Sequence, residues 1–390
     1  MRRLAIAVDA SRGYEPWPTG TETYARHVID GLVREGGHDY RLYTRGAPSQ
    51  WLDRLEQQGA TIDPLGDGRL WTQLRLARAL RRRPADVLFV PAHVLPFVLA
   101  TPGVVTVHDV GHRHVPEAHT FAQRAYLEVT ARYHARRAAA LIADSASTAA
   151  DLVRFFGARP ERVHVVHLGG WQPGTRPSPE SIAAFRRRIE LRPSAEVIVH
   201  VGTRQPRKNL ARLIRALPGI LRERPDAMLL LAGRQGWGNE DLGAVAREAG
   251  VQSRVKILDY VDLDELHLLY FVADLVAIPS LHEGFGLTMQ EAMTCGAPVA
   301  AANASSLPEV GGDAVAWFDP LDVADIARVI VRVLGDAAER RRLSAAGVAR
   351  AATFTWARCA AETQCVLELA ARPEATARSS RSNGQRDQHA

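Results

Sequence analysis

Residues 277–320 read AIPSLHEGFGLTMQEAMTCGAPVAAANASSLPEVGGDAVAWFDP. An apolar run ends at Pro279-Ser280, a turn with two glycines follows (Glu283-Gly284-Phe285-Gly286-Leu287), and a helix is expected to open at Thr288 or Met289. A strand that runs through a glycine turn into a helix presents unpaired backbone N–H groups and the positive end of the helix dipole, a setting that suits a phosphate. Two carboxylates, Glu283 and Glu291, flank the turn eight residues apart. Carboxylates beside an anion site need a second purpose, and a hydroxyl-rich ligand such as a sugar supplies one.

Working outward, a second glycine corner lies upstream. The apolar run EVIVHV (196–201) leads into Gly202-Thr203-Arg204-Gln205-Pro206-Arg207-Lys208-Asn209, and a helix is expected over 210–223. Cations at the start of a helix oppose its dipole. Arg204, Arg207 and Lys208 therefore point to a bound anion, and a nucleotide diphosphate would engage both corners.

The chain has 390 residues with 46% hydrophobic and 24% charged, which predicts a soluble globular protein of two domains or one large one. Cys295, Cys359 and Cys365 show no CxxC spacing, so neither a disulfide framework nor a structural zinc is expected. The net charge of +6 is uneven: through Arg176 there are 23 Arg and Lys against 17 Asp and Glu, and the remainder balances at 26 against 26. That excess reflects either a general preference for arginine or a surface that meets something anionic, membrane headgroups or nucleic acid.

In that half, 3–9, 40–44, 87–90, 103–107, 141–147 and 163–169 read as strands or strand ends. Helices are expected over 21–34, 69–82 and 121–139. Residues 87–107 carry no formal charge, but Pro91, Pro96 and Pro102 exclude a continuous membrane helix and favour two buried parallel strands. His108 follows the second of these, at the strand end where α/β folds place ligands. A Gly20 corner after the first strand is a weaker anion-compatible turn. In the second half, strands are expected at 196–201, 228–233, 255–261 and 274–279, and the last helices at 321–334, 336–351 and 356–371.

The whole reads as α/β, two doubly wound Rossmann-like domains facing a cleft. The expected division is an N-terminal domain over 1–172, a Pro/Gly-rich linker over 173–195 and a second domain over 196–355. A C-terminal helix over 356–372 packs back on the first domain, and a disordered tail covers 373–390.

Residues 200–320 resemble the nucleotide-sugar domain of the retaining GT-B glycosyltransferases of the "group 1" family, glycosyltransferase family 4. The resemblance rests on GTRQPRKNL (202–210), Glu283 and Glu291 in EGFGLTMQE, AMTCGAPV (292–299), SSLPEVGGDA (305–314) and the Asp319-Pro320 pair. The loop near Gly20, VTVHDV (105–110) and DSAST (144–148) fit more weakly, and the GTxxPRKNL form is similar to the mannosyl- and rhamnosyltransferase-like branch.

The resemblance implies a hexosyltransferase that takes a sugar from a nucleotide diphosphate donor, GDP-mannose as the first expectation. The acceptor would be a glycan or lipid-linked glycan in bacterial surface-polysaccharide biosynthesis. It implies catalytic parts for His108, Glu283, Arg207 and Lys208, with Arg207 and Lys208 on the diphosphate and Glu283 on the sugar hydroxyls. Gly20, Arg204, Gly284, Phe285, Gly286, Leu287, Thr288 and Glu291 would bind the donor, Glu291 through the ribose. This chain has Thr203 where many relatives carry an arginine after the glycine, and Arg204 stands in one position on. No cofactor and no divalent metal are expected; Asp262-Leu263-Asp264 has the metal-binding spelling but reads as a helix cap. A cytoplasmic location is implied, with peripheral contact to anionic lipid at the inner face of the cell membrane.

Two other readings stay open at this level. One is a different nucleotide-sugar enzyme on the same architecture, such as an epimerase, a phosphorylase or a glucosyltransferase. The other is a nucleic-acid-binding protein, suggested by the sequence pI of about 9.5, although the chain has no helix-turn-helix, zinc-finger or RNP signature, so no nucleic-acid partner is expected.

Overall fold

The computed structural model describes residues 2–13, 19–46, 49–92, 94–171, 176–236, 241–258 and 263–372. Asp262 of the Asp262-Leu263-Asp264 triplet, part of the 173–195 linker, the end of the 255–261 strand and the tail from Pro373 lie outside the described residues. The chain divides into two compact units. Unit 1 comprises Met1–Val110, Ala125–Gly169 and the segment from Thr355 on; unit 2 comprises Gly111–Arg124 and Gly170–Phe354.

Among the described residues, unit 1 has a seven-stranded parallel sheet in the order β3-β2-β1-β4-β5-β6-β7. These strands are β1 (Ala5–Asp9), β2 (Asp39–Thr44), β3 (Thr61–Pro64), β4 (Val87–Val90), β5 (Gly103–Val107), β6 (Ala140–Ala143) and β7 (Val163–Val165). Strands β4 and β6 are buried along their whole length, the continuous apolar pattern of a sheet covered on both faces. The uncharged stretch 87–107 is thus two strands, as its prolines require, and no helix among the described residues is long and apolar enough to cross a membrane.

The first helix, Gly20–Glu35, buries Tyr24, Val28 and Leu32 as its spacing predicts. Its packing partner is the helix Trp356–Ala370. The two approach so closely that a methyl on Gly31 would lie 2.4 Å from the Ala360 Cβ. Residues 69–82 are less regular than expected: a π-helical turn, Thr72–Leu76, leads into a short α-helix, Ala77–Arg82.

Among the described residues, unit 2 has a six-stranded parallel sheet in the order β10-β9-β8-β11-β12-β13. Its strands are β8 (Glu196–Val201), β9 (Ala227–Ala232), β10 (Val255–Leu258), β11 (Leu275–Ile278), β12 (Val299–Ala302) and β13 (Ala316–Phe318). β8 pairs with β9 on one side and with β11 on the other. The strand order reverses there, so the loops after β8 and β11 diverge and leave a crevice at their carboxyl ends. Segment Gly111–Arg124, which the sequence reading kept with the first domain, groups with unit 2, and its His114 ring stacks on His282 at 4.4 Å.

Candidate active site

The two glycine corners of unit 2 meet at this switch point. After β8 the chain makes a 3-10 turn, Pro206–Lys208, and Asn209 adopts a left-handed conformation (φ 57°) before the helix Leu210–Glu223. The Asn209 amide donates to the Pro279 carbonyl at 3.0 Å and the Pro320 carbonyl at 2.8 Å, so one buried side chain ties three loops together. The Leu281 backbone N–H donates to the Arg207 carbonyl at 2.8 Å. The loop after β11 is thereby laid along the cation turn.

The result is a buried ion cluster. Lys208 Nζ donates to Glu283 Oε1 at 2.5 Å, and Arg207 Nη1 to Glu283 Oε2 at 2.8 Å. Arg207 Nη1 also donates to the His282 carbonyl at 2.8 Å. Lys208 and Glu283 are both buried. The Glu283 backbone is clamped as well: its N–H donates to Ser305 Oγ at 2.8 Å, and Ser306 Oγ donates to its carbonyl at 2.9 Å. Burial alone would raise the Glu283 pKa, but Lys208 and then Arg207 outweigh it and hold the carboxyl far below the usual range.

This geometry corrects one step of the sequence reading. The cations were placed at a helix start, where only a bound anion would justify them. They lie instead in the turn before the helix, and the Glu283 carboxylate supplies an anion. Arg204 is held by the neighbouring loop. Its backbone bridges to Gln235 and its guanidinium donates to the Gln235 side chain at 3.4 Å, so it lies along the loop after β9.

The second corner forms as expected, one residue early. Gly286 (φ 99°) caps the helix Leu287–Thr294. A side chain at Gly286 is excluded twice, by that left-handed conformation and by Leu307, 2.8 Å from where a Cβ would stand. Phe285 is buried with its ring edge-to-face on Phe354 at 5.5 Å, while Gly284, Leu287 and Thr288 are half-buried beside it. Met289 N–H donates to the Gly286 carbonyl at 3.0 Å, whereas the N–H groups of the first two helical residues, Leu287 and Thr288, precede the first intrahelical acceptor.

Glu291 is the fifth of the eight helical residues. It accepts a 2.8 Å hydrogen bond from the buried Tyr270 hydroxyl. Burial raises its pKa to about 7, against the lowering pull of Tyr270 and Lys208. Tyr270 escaped the sequence reading because it sits mid-run in the apolar helix Leu263–Val272 and reads as core.

In unit 1, His108 directly follows β5. Its Nδ1 is 2.7 Å from Asp144 Oδ2 and its Nε2 is 3.0 Å from the Pro91 carbonyl. With the Asp144 carboxyl ionised both partners are acceptors, an arrangement that favours the protonated imidazole. Burial would lower its pKa, but the Asp144 carboxylate outweighs burial and the net shift is upward. The Tyr24 ring stands edge-on to His108 at 4.9 Å. Asp144 was not picked out, although the register carries the signal: Val107 pairs with Ala143, which puts the next residue of each strand side by side. Gly20 is exposed as the first residue of its helix, behind a cap in which Glu22 accepts from the Thr19 backbone N–H at 3.0 Å.

Two doubly wound parallel sheets, with a cation cluster and a glycine-capped helix at one switch point, fit the GT-B architecture. Family models match both halves: "Glycosyltransferase Family 4" over residues 18–169 and "Glycosyl transferases group 1" over 181–350. The O-antigen chain mannosyltransferase B of Escherichia coli is 31% identical over 296 residues, covering 76% of this chain and 77% of that protein. Among solved structures, the sucrose-phosphate synthase of Thermosynechococcus elongatus superposes with a TM-score of 0.74 at 20% identity, covering 94% of this chain and 99% of that one. HepE of Anabaena, solved with UDP and glucose, gives 0.72 at 21% identity, covering 94% of this chain and 100% of that one. The chain belongs to the group 1 glycosyltransferases and is an enzyme of glycosyl transfer.

Proposed function

We propose that this enzyme moves a mannose-like hexose from a nucleotide diphosphate sugar, GDP-mannose first, to a lipid-linked glycan of a bacterial surface polysaccharide, with retention of the anomeric configuration. The observation that carries the reading is the buried Lys208–Glu283–Arg207 cluster beside the Gly286-capped helix. The likeness to an O-antigen mannosyltransferase supports the sugar and the pathway. The HepE complex with UDP and glucose supports the donor class.

In this reading Glu283 keeps both cations aligned at the carboxyl end of the sheet. A donor diphosphate takes their charge, and the released carboxylate accepts from sugar hydroxyls. Arg207 and Lys208 then balance the charge that grows on the leaving phosphate, a preaimed electrostatic contact that needs no divalent metal. A phosphate oxygen takes the acceptor's proton as the acceptor attacks from the same face. The backbone N–H groups from Phe285 to Thr288 serve the donor, and Glu291 accepts from the ribose. For His108 we propose a contact to the transferred sugar. A panel of nucleotide sugars scored for binding and slow hydrolysis tests the reading. GDP-mannose is expected to lead, and no response to any nucleotide sugar would overturn it. Transfer is expected to persist in excess EDTA; loss restored by Mg²⁺ or Mn²⁺ would refute the metal-free arrangement.

A second observation favours work at an anionic membrane surface. In unit 1, Leu70, Leu74, Phe97, Val98, Tyr126 and Val129 are each more than half exposed. They are joined through Gln73, which accepts from the Phe97 N–H at 2.7 Å, and through the edge-to-face Phe97–Tyr133 pair. Arg78, Arg81 and Arg82 are exposed on the same helical segment as Leu74. Apolar side chains flanked by arginines suit the headgroup boundary. Sedimentation with vesicles containing anionic lipid is expected at low salt and reduced at high salt. Equal recovery with neutral vesicles, or none with either, would remove this reading.

A further inference from the structure

His200 lies in β8, two residues before Gly202, and is 1% exposed. Its Nδ1 is 3.0 Å from the Ala277 carbonyl on the neighbouring strand β11. A carbonyl only accepts, so Nδ1 carries the hydrogen and Nε2 presents a lone pair. That Nε2 is buried and has no hydrogen-bond partner. A buried acceptor left unpaired is destabilising, so its presence here calls for a use.

The use is set by what Nε2 faces. A methyl group built on Gly202 would lie 3.5 Å from His200 Nε2, 3.5 Å from Lys208 Cε and 3.7 Å from Lys208 Nζ. The imidazole lone pair and the ammonium thus flank one methyl-sized space at the glycine corner. Burial, and then the Lys208 charge, lower the His200 pKa to about 4. The ring is therefore neutral, and an acceptor, at any pH near neutrality.

We propose that His200 is a positioning residue for Lys208. Its Nε2 is the second acceptor of the ammonium and holds it at the Gly202 corner when the Glu283 carboxylate turns to a hydroxyl-bearing ligand. The assignment deepens the donor-binding role given to Lys208 above and rests on it. It makes a buried polar residue of β8 part of the diphosphate site.

A double-mutant cycle on GDP and UDP binding separates this from a structural role. His200→Phe keeps an aromatic ring in the core and removes the lone pair. It is expected to weaken binding about tenfold beside Lys208 and less than about twofold in a Lys208→Met background, the scale of coupling between contacting residues. His200→Gln, which restores a neutral acceptor, is expected to recover most of the loss. An equal loss in both backgrounds, or no loss, would overturn the proposal. A second readout needs no ligand. The chain has two lysines, Lys208 and Lys256, so ¹⁵N-lysine labelling gives two ammonium signals, each assigned by one substitution. His200→Phe is expected to shift the Lys208 signal and leave Lys256 in place, and His200→Gln to return it towards its original position. An unmoved Lys208 signal would overturn the His200 assignment whatever binds. Absence of GDP and UDP binding in the unaltered enzyme, with the signal responding as expected, would instead count against the donor reading alone.

Discussion

Glu283 and Glu291 sit eight residues apart in one turn and helix, yet their environments push them in opposite directions. Two cations hold Glu283 ionised, whereas burial keeps Glu291 on the edge of protonation at about pH 7. For Glu291 the sign is that of a raised acid: the stability it lends is present below its ordinary value and is lost as pH rises through about 7. Ionised, it is the better acceptor for ribose hydroxyls. GDP or UDP affinity is therefore expected to rise from about pH 6 to about pH 8 while the thermal midpoint falls, and Glu291→Gln should flatten both trends. Calorimetry and thermal melts across that range check it. Tyr270→Phe removes a hydrogen bond to the carboxylate and should move the affinity profile to higher pH. Lys208→Ala and Glu283→Ala are each expected to cut transfer by about 100-fold or more; near-normal turnover in either would remove the cluster from the mechanism. His108 behaves as a raised base. Its charged form stabilises unit 1 below the ordinary histidine range, and that contribution fades as pH rises through the raised value. In an NMR titration, Asp144→Asn should bring the His108 midpoint down. The residue types of this site were legible from sequence, because carboxylates and cations beside glycine turns are unusual there. Their pairing was not: Lys208 and Glu283 are 75 residues apart, and only the strand order brings them together.

At the scale of elements, what could be read followed hydrophobic density. β4, β5, β8, β9 and β11 are runs rich in Val, Ile and Leu, and their positions match the sequence expectation. β12 is VAAA and was missed because alanine carries little strand preference. β13 (AWF) and β3 (TIDP) are too short to show a period. β7 is three residues long, against the seven expected, because the chain leaves the sheet after Val165. Asn209 was read as part of a motif, but its element-level work, holding the ends of the β8 and β11 loops and Pro320 in one place, needed the structure. Asn209→Ala should cost about 2–4 kcal/mol, from two buried carbonyls left unpaired and a left-handed backbone without asparagine. Asn209→Gly should recover only the backbone part. Chemical denaturation of both variants checks this; a Gly variant as stable as the unaltered protein would show that the bridge contributes nothing, and equal stability of Ala and Gly would show that the left-handed backbone costs nothing.

At the scale of the whole molecule, the sequence conveyed two doubly wound sheets and a last helix returning to the first. It could not convey that Gly111–Arg124 groups with unit 2, because that grouping rests on contacts such as the His114–His282 stack, which involve no periodic pattern. The return of the helix Trp356–Ala370 depends on Gly31. Gly31→Leu should separate it from the helix Gly20–Glu35 and destabilise unit 1 by about 2–4 kcal/mol, the scale of a severe overpacking or lost packing surface. Hydrogen exchange should rise in both helices while the amides of β8 and β9 stay protected; unchanged exchange in Trp356–Ala370 would show that the glycine contact does not hold it.

That returning helix has a consequence for how the protein is made. Translation delivers all the strands of unit 1 by Val165 but withholds the helix that covers Tyr24 and Gly31 until residues 356–370 have left the ribosome. Unit 2, nearly continuous from Gly170 to Phe354, is complete before then. During synthesis the earlier-made sheet waits, with part of one face uncovered beside the helix Gly20–Glu35, for the later-made half to finish, so the first half of the gene encodes the last part of the molecule to close.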